Sequence, residues 1–238
     1  RGGEYVINCV GWIPQKATGK PEFDSQQAGL VNSGLPGVLE ELFQQNGIKV
    51  LQVATDCVFS GQSGPYGEQS PQDASDVYGM SKIQGELLQA SAMKIRASII
   101  GPDLNSRAGL FSWFLSMSEH SSVVGFQNHL WNGVTTLAMA KLFASVIQNN
   151  SFSPGLRHWV PDGWVSKFDL LQEFHSRLPH TANVSRGFAQ IGADRRLMTI
   201  DSDANIELWA LAGYRQPPTI NDLVEEMISD FAEYWPSK

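Results

Sequence analysis

Cysteine is nearly absent from this chain: two residues, Cys9 and Cys57, in 238. That excludes the disulfide framework that staples small secreted domains. Both fall at predicted strand ends, where buried reduced thiols are expected, and such thiols suit a reducing compartment, hence a cytoplasmic location. No apolar run is long enough to span a bilayer, so no membrane role is expected, and no basic stripe offers itself to nucleic acid. The five histidines, at 120, 129, 158, 175 and 180, lack metal-ligand spacing, so no metal is assigned. Internal repeats and low-complexity segments are missing as well. With a formal charge of −7, an anionic substrate would need Arg or Lys placed locally against the overall field. No signal peptide is visible, and because the chain opens on Arg1 without a Met, its true amino terminus is expected to lie upstream.

What is present is an ordinary globular composition, 42% apolar and 17% charged, at a length that buries a full core as one large domain or two small ones. The organising stretch runs from Val53 to Glu86. Lys49 to Ala54 is β-branched and apolar, and Ser81 to Ala90 carries good helix formers with Leu87 and Leu88 expected inward, so the order is strand, loop, helix. Thr55 then sits at the carboxyl end of a strand, where open α/β sheets keep their ligands. Tyr78 and Lys82 are four apart, one turn along a single helix face if the helix has begun by Tyr78. A hydroxyl, a phenol and an ammonium converging on one carbonyl suit hydride transfer to or from its carbon. A phenol, with a pKa near ~10, is a poor proton donor at neutral pH, but a nearby ammonium and a cationic nicotinamide lower that value. Tyr78 is then the general acid or base, Thr55 orients the carbonyl oxygen, and Lys82 also holds the nicotinamide ribose.

A Tyr followed at the fourth position by a Lys arises by chance in about one such sequence in six, so the context must carry the assignment. That context is Ala54-Thr55-Asp56-Cys57-Val58-Phe59-Ser60-Gly61, then Tyr66-Gly67-Glu68, then Tyr78-Gly79-Met80-Ser81-Lys82-Ile83-Gln84-Gly85-Glu86. It resembles the extended short-chain dehydrogenase/reductase superfamily, and most closely its dTDP-4-dehydrorhamnose reductase branch. The resemblance implies an α/β fold: a Rossmann-like parallel sheet flanked by helices, with a smaller C-terminal substrate-binding lobe. Residues 1–104 would be a partial NAD(P)-binding domain carrying Thr55, Tyr78 and Lys82, and 105–238 mainly the substrate lobe, with 130–160 returning to the sheet. It also implies NADP or NAD as cofactor and a nucleotide-linked 4-keto sugar as substrate, and it leaves room for a homodimer. The alternatives are a nucleotide-sugar epimerase or dehydratase, or a non-catalytic regulatory member.

Carried over residue by residue, the resemblance places Asn8-Cys9-Val10-Gly11 against the cofactor's ribose and nicotinamide. Asn32, within Val31-Asn32-Ser33, would order the active-site lysine, with a helix cap as the competing reading. Thr55, Asp56, Asn105, Arg107 and Arg196 would meet the substrate. Arg107, Arg186, Arg195 and Arg196 are candidates for a diphosphate clamp, since guanidinium pairs phosphate bidentately.

Elsewhere Tyr5 to Val10 and Lys94 to Ile100 read as strands, and Val38, Leu39, Leu42 and Phe43 make one apolar helix face stopped at Asn46-Gly47. Leu110 to Met117 reads as a helix on which Trp113 and Phe114 pack. Thr135 or Thr136 caps a helix through Ile147, and Gly155 to Val160 is a short strand. Ser166-Lys167-Phe168-Asp169 reads as a capping box for a helix ending before Pro179. After Pro217-Pro218-Thr219 comes an amphipathic docking helix.

One family element is not in the sequence: a Gly-x-x-Gly-x-x-Gly turn after an opening strand, which seats a dinucleotide pyrophosphate on a helix terminus. Ser33-Gly34-Leu35-Pro36-Gly37 does not supply it. The expectation is therefore a piece of a longer protein, or one that lost that half, with weak or no NAD(P) binding by this polypeptide alone.

Overall fold

The computed structural model describes residues 4–103 and 108–234; Asn105 and Arg107 lie outside the described residues. The first strand, β1 (Tyr5–Asn8), leads through a short 3-10 turn to α1 (Pro21–Ala28), opened by a proline whose missing N–H costs nothing at a first helical position. A π-helical turn, Gly29–Gly34, joins α1 to α2 (Leu35–Gln45). The chain returns as β2 (Lys49–Ala54), parallel to β1 with Asn8 opposite Gln52. The Asp76 side chain caps α3 (Val77–Leu87), accepting from Gly79 N–H at 2.9 Å, so Tyr78 and Lys82 both lie within the helix. Next comes β3 (Met93–Arg96), and after Ala97 and Ser98 the backbone steps over to β4 (Ile99–Ile100), so the one strand expected here is two.

Beyond the gap, α4 (Leu110–Leu115), β5 (Ser122–Phe126), β6 (His129–Trp131) and β7 (Val134–Thr135) precede α5 (Thr136–Gln148), capped by Thr135. Then β8 (Gly155–His158) and β9 (Val165–Ser166) lead into α6 (Lys167–Arg177), whose start is the full capping box of Ser166 and Asp169. The chain closes with β10 (Asn183–Gly187), β11 (Ala193–Asp194), α7 (Ser202–Leu211) and α8 (Ile220–Tyr234).

The main sheet has the order β1-β2-β3-β8 and is parallel throughout. Helices α5 and α7 cover one face, burying Leu51, Ile95, Leu142, Phe143 and the tilted pair Trp159 and Trp209, centroids 4.1 Å apart. A second cluster joins Phe111 and Phe114 of α4, Phe174 of α6 and Val224 and Met227 of α8. Each such aromatic, fully buried, contributes about 1.5–3 kcal/mol relative to exposure. Three small sheets, β10-β5, β11-β6-β9 and β4-β7, complete the strand pairing.

On α3 the structure inverts one expectation. Leu87 is 75% and Leu88 51% exposed, while Gly79, Ser81 and Gly85 are buried. The inward face is built from small residues, which lets the helix backbone come close to its neighbours, and the leucines fall on the other side. The apolar face of α2 is likewise open, with Val38 and Leu42 each 51% exposed. Among the described residues no helix is long and apolar enough to cross a membrane, and no cluster of metal-ligating side chains occurs.

Candidate active site

The carboxyl ends of β1, β2 and β3 open on a cavity of about 560 Å³. Its lining brings together Thr55, Asp56 and Cys57 from the end of β2, Tyr78 and Lys82 from α3, Ser98 beyond β3, and Arg195. Thr55 is extended and caps the 3-10 turn Asp56–Val58, its hydroxyl oxygen accepting from Cys57 N–H at 3.1 Å. The same hydroxyl donates to the Asp56 carboxyl, 3.3 Å away, and lines the cavity beside the Tyr78 phenol.

The seating of α3 explains the Tyr-Gly-Met-Ser-Lys-Ile-Gln-Gly-Glu string residue by residue. A Cβ at Gly79 would lie 2.7 Å from Cys57 O, and one at Gly85 only 2.0 Å from Asn32 O. Any side chain at either position would push the helix off the strand-end turn or off the π-helical turn. Ser81 Oγ donates to Tyr78 O at 2.8 Å and accepts from Asn32 Nδ2 at 3.0 Å. Asn32 is buried inside the π-helical turn, a helix irregularity frequent at functional sites, and is not a cap. Its amide clamps one residue at both ends, accepting from Trp12 N–H at 2.9 Å and donating to Trp12 O at 3.0 Å. The segment after β1 is thereby held over α3: a Cβ at Gly11 would stand 3.7 Å from both Asn32 Oδ1 and Lys82 Nζ. Asn8 is buried and points elsewhere, donating to Gln52 Oε1 at 2.7 Å and accepting from Val10 N–H at 3.1 Å. Cys9 and Val10 are exposed at the strand's end, so Cys9 is not the buried thiol expected of it; its thiol is free, like that of the half-buried Cys57.

Electrostatics set the protonation states. Burial pushes the Tyr78 phenol above its ordinary value, Cys57, Asp56 and Asp76 add to that, and the nearby Thr55 hydroxyl opposes it. The lowering expected from the adjacent ammonium is not seen in this state, because Lys82 is itself weakened: burial pulls its pKa down, against the pull of Glu86 and Cys57. Tyr78 is therefore a neutral phenol with its proton in place. Burial likewise pushes the Cys57 thiol up to about 12, and raises buried Asp56 against the attraction of Arg195.

A second cavity of about 440 Å³ shares Asp56, Cys57, Ser98 and Arg195 with the first. Its outer wall is Trp113, Leu130, Trp131, Lys167 and Leu170. Among the described residues, Arg195 is the arginine that lines both cavities, anchored by Nε donating to Phe59 O at 3.0 Å. Arg196, expected at the substrate, lies on neither wall: it pairs bidentately with Asp194, at 2.8 and 2.7 Å, and stacks over Trp164. Successive residues of an extended segment point to opposite sides, so only one of two adjacent arginines can face the cavity. Arg186 also lies on neither wall and stacks over Phe168. The sequence reading missed Lys167, which stood in plain sight inside the capping box; only the fold of β6 against β9 carries it to the cavity.

Behind α3 runs a buried polar chain. Glu86 pairs with Arg96, whose Nη1 meets His158 Nε2 at 2.9 Å, and His158 Nδ1 bonds Met198 O at 2.8 Å. With Arg96 donating and the Met198 carbonyl accepting, His158 carries its one proton on Nδ1, and burial above all pulls its pKa to about 4. Glu68 closes the chain, accepting from Thr199 Oγ1 at 2.9 Å and Ile200 N–H at 3.0 Å.

Comparison with known proteins adds the relationship. The RmlD substrate binding domain matches residues 2–195. The chain belongs to that family. One stretch of this RmlD-family chain is 37% identical over 82 residues to a dTDP-4-dehydrorhamnose reductase of Streptomyces griseus, covering 34% of this chain and 26% of that protein, so the match spans about a quarter of the relative's length. Its fold is similar to that of the Bacillus anthracis dTDP-4-dehydrorhamnose reductase solved in complex with NADP, with a TM-score of 0.75, 17% identity and coverage of 95% of this chain and 80% of that one. MoeE5, solved in complex with UDP-glucose and NAD, gives a TM-score of 0.71 at 14% identity, covering 97% of this chain and 80% of that one. At these identities the likeness of an RmlD-family chain to the solved structures establishes the fold.

Proposed function

We propose that this chain carries the catalytic site of an NAD(P)-dependent reductase of a nucleotide-linked 4-keto sugar. The observation that carries the reading is the meeting of Thr55, Tyr78 and Lys82 on one cavity wall. In the reduction, Tyr78 gives its proton to the ketone oxygen as the carbon is reduced. Thr55 donates to that same oxygen and fixes its distance from the phenol. Lys82 offsets the negative charge left on Tyr78.

The residues fit a nicotinamide cofactor. Lys82 Nζ lies under the open backbone of Gly11, where a Cβ would take up space beside it. In this reading Cys9, Val10 and Gly11 offer backbone to the nicotinamide ribose, Lys82 and Tyr78 hold its hydroxyls, and Asn8 and Asn32 hold that backbone in place. When bound, a reduced nicotinamide would supply the hydride. The sugar nucleotide fits the second cavity, where Arg195 and Lys167 offer positive charge to a diphosphate and Trp113 and Trp131 offer flat apolar surface to a base. Residues 1–104 thus supply the chemistry and 105–238 mainly the substrate lobe, with 130–160 returning to the sheet. Two free thiols suit a reducing cytoplasm.

The test, made in a full-length form that carries the glycine-rich cofactor turn, is consumption of NADPH, followed by its near-ultraviolet absorbance, with a dTDP-linked 4-keto-6-deoxy sugar as acceptor. Tyr78→Phe should keep the fold and lower turnover by about 10²-fold or more. Unchanged turnover would remove Tyr78 from the mechanism, and catalysis without stoichiometric loss of NADPH would point to an epimerase or dehydratase.

A further inference from the structure

We propose that Glu86 is a positioning residue for Lys82, and that the buried Arg96 holds Glu86 in place to do it. The inference rests on the reductase reading of the site and assigns a task to a side chain that touches neither substrate nor cofactor there.

Glu86 lies one helical turn beyond Lys82 on α3, on the same face. Both side chains line a small pocket of about 10 Å³, together with Asn32, Gln52 and Gln89. Glu86 is held from several directions. Arg96 Nε donates to Oε1 at 3.3 Å, Arg96 Nη2 pairs with Oε2, and Gln72 Nε2 donates to Oε2 at 2.7 Å. Arg96 is 1% exposed and cannot swing away, because His158 braces it from β8. The carboxylate is therefore fixed to the sheet and not merely to its own helix.

A salt bridge that only tied α3 to β3 could sit anywhere along the helix. This one sits where its negative charge acts on the one ammonium in the cavity. The groups around Lys82 leave that task to Glu86. On α3 the others are Tyr78, neutral, and the cap Asp76, which holds Gly79 N–H. The turn after β2 brings Asp56 and Cys57, both raised toward their neutral forms by burial. The π-helical turn and β2 present only the amides of Asn32 and Gln52, and Arg96 comes from β3. On α2, Glu40 accepts from Ser91 N–H at 2.6 Å and acts on Lys94. Glu86 is the carboxylate left to hold the Lys82 ammonium's pKa up against burial.

Glu86→Gln keeps the side-chain shape and one acceptor oxygen for Arg96, removes the charge, and turns the other oxygen into a donor. With the charge gone, Lys82 loses its proton at lower pH, so the alkaline limb of kcat/KM should move to lower pH by about one unit. Turnover on that limb should fall by about tenfold, and Glu86→Asp should restore most of both. Nitrogen-15 NMR of the lysine ammonium groups, with Lys82 assigned by Lys82→Arg, reads the same shift without turnover. If Glu86→Gln fails to fold, Glu86→Gln paired with Arg96→Met removes both buried charges, and Lys82 should again titrate below its value in the parent chain. A Lys82 titration that does not move in either variant overturns the proposal. No NADPH consumption by any form, with the titration shifted as expected, would instead count against the reductase reading.

Discussion

His158 is 1% exposed and carries a pKa pulled from 6.5 to about 4, by burial first and by Arg96. The unfolded chain binds a proton on this ring through a pH window in which the folded chain refuses it. A folded pKa below the unfolded one gives stability that is complete above the unfolded value and is lost as pH falls through that window. Each unit of pH across it is worth ~1.4 kcal/mol per proton, so the interval from 6.5 to about 4 amounts to about 3 kcal/mol, with no discount for solvent at a site this buried. The perturbation is His158→Gln, which keeps an acceptor for Arg96 Nη1 but does not titrate. Urea unfolding across this pH range should show the parent losing about 3 kcal/mol more than the variant. Carboxylates with lowered pKa away from the ring, such as Asp73, weaken both proteins at the acid end and drop out of the difference. Parallel stability curves for the two proteins between pH 6.5 and 4 would refute the reasoning and mean that burial and Arg96 do not hold the ring neutral.

Gly85→Ala puts a Cβ 2.0 Å from Asn32 O, so it should cost about 3 kcal/mol in thermal unfolding, while Gly29→Ala, with nothing within 4 Å of its added carbon, should not destabilise. Of the two thiols, exposed Cys9 should react with a maleimide well before Cys57, because a pKa of about 12 leaves only about 10⁻⁵ of Cys57 as thiolate at neutral pH; mass spectrometry of the alkylated peptides checks the order.

The elements that position Tyr78 and Lys82 were legible because they are local. The strand before Thr55 shows as an apolar β-branched run, and the capping box at Ser166 shows as a four-residue pattern. What stayed hidden depends on contacts between distant residues. Strands β5, β6, β10 and β11 are short and pair across long stretches of chain, so periodicity has too few residues to work on. The inward face of α3 misled because its buried positions are glycine and serine, while hydrophobicity points to Leu87 and Leu88. Nor could composition say which of Arg195 and Arg196 faces the cavity, since that turns on the direction of an extended segment. Asn32 was open to two readings in sequence, and the extra residue of a π-helical turn that sets its direction leaves no local signal.

Helix α3 is fastened at two places, Gly79 against Cys57 and Gly85 against Asn32. One fastening would leave a pivot; two leave neither roll nor slide. The Tyr78 phenol is then indexed to the framework and takes no instruction from the far wall of the second cavity, built by residues of α4, β6 and α6. That wall can be remodelled by substitution alone, with the alignment of phenol and amine inherited intact.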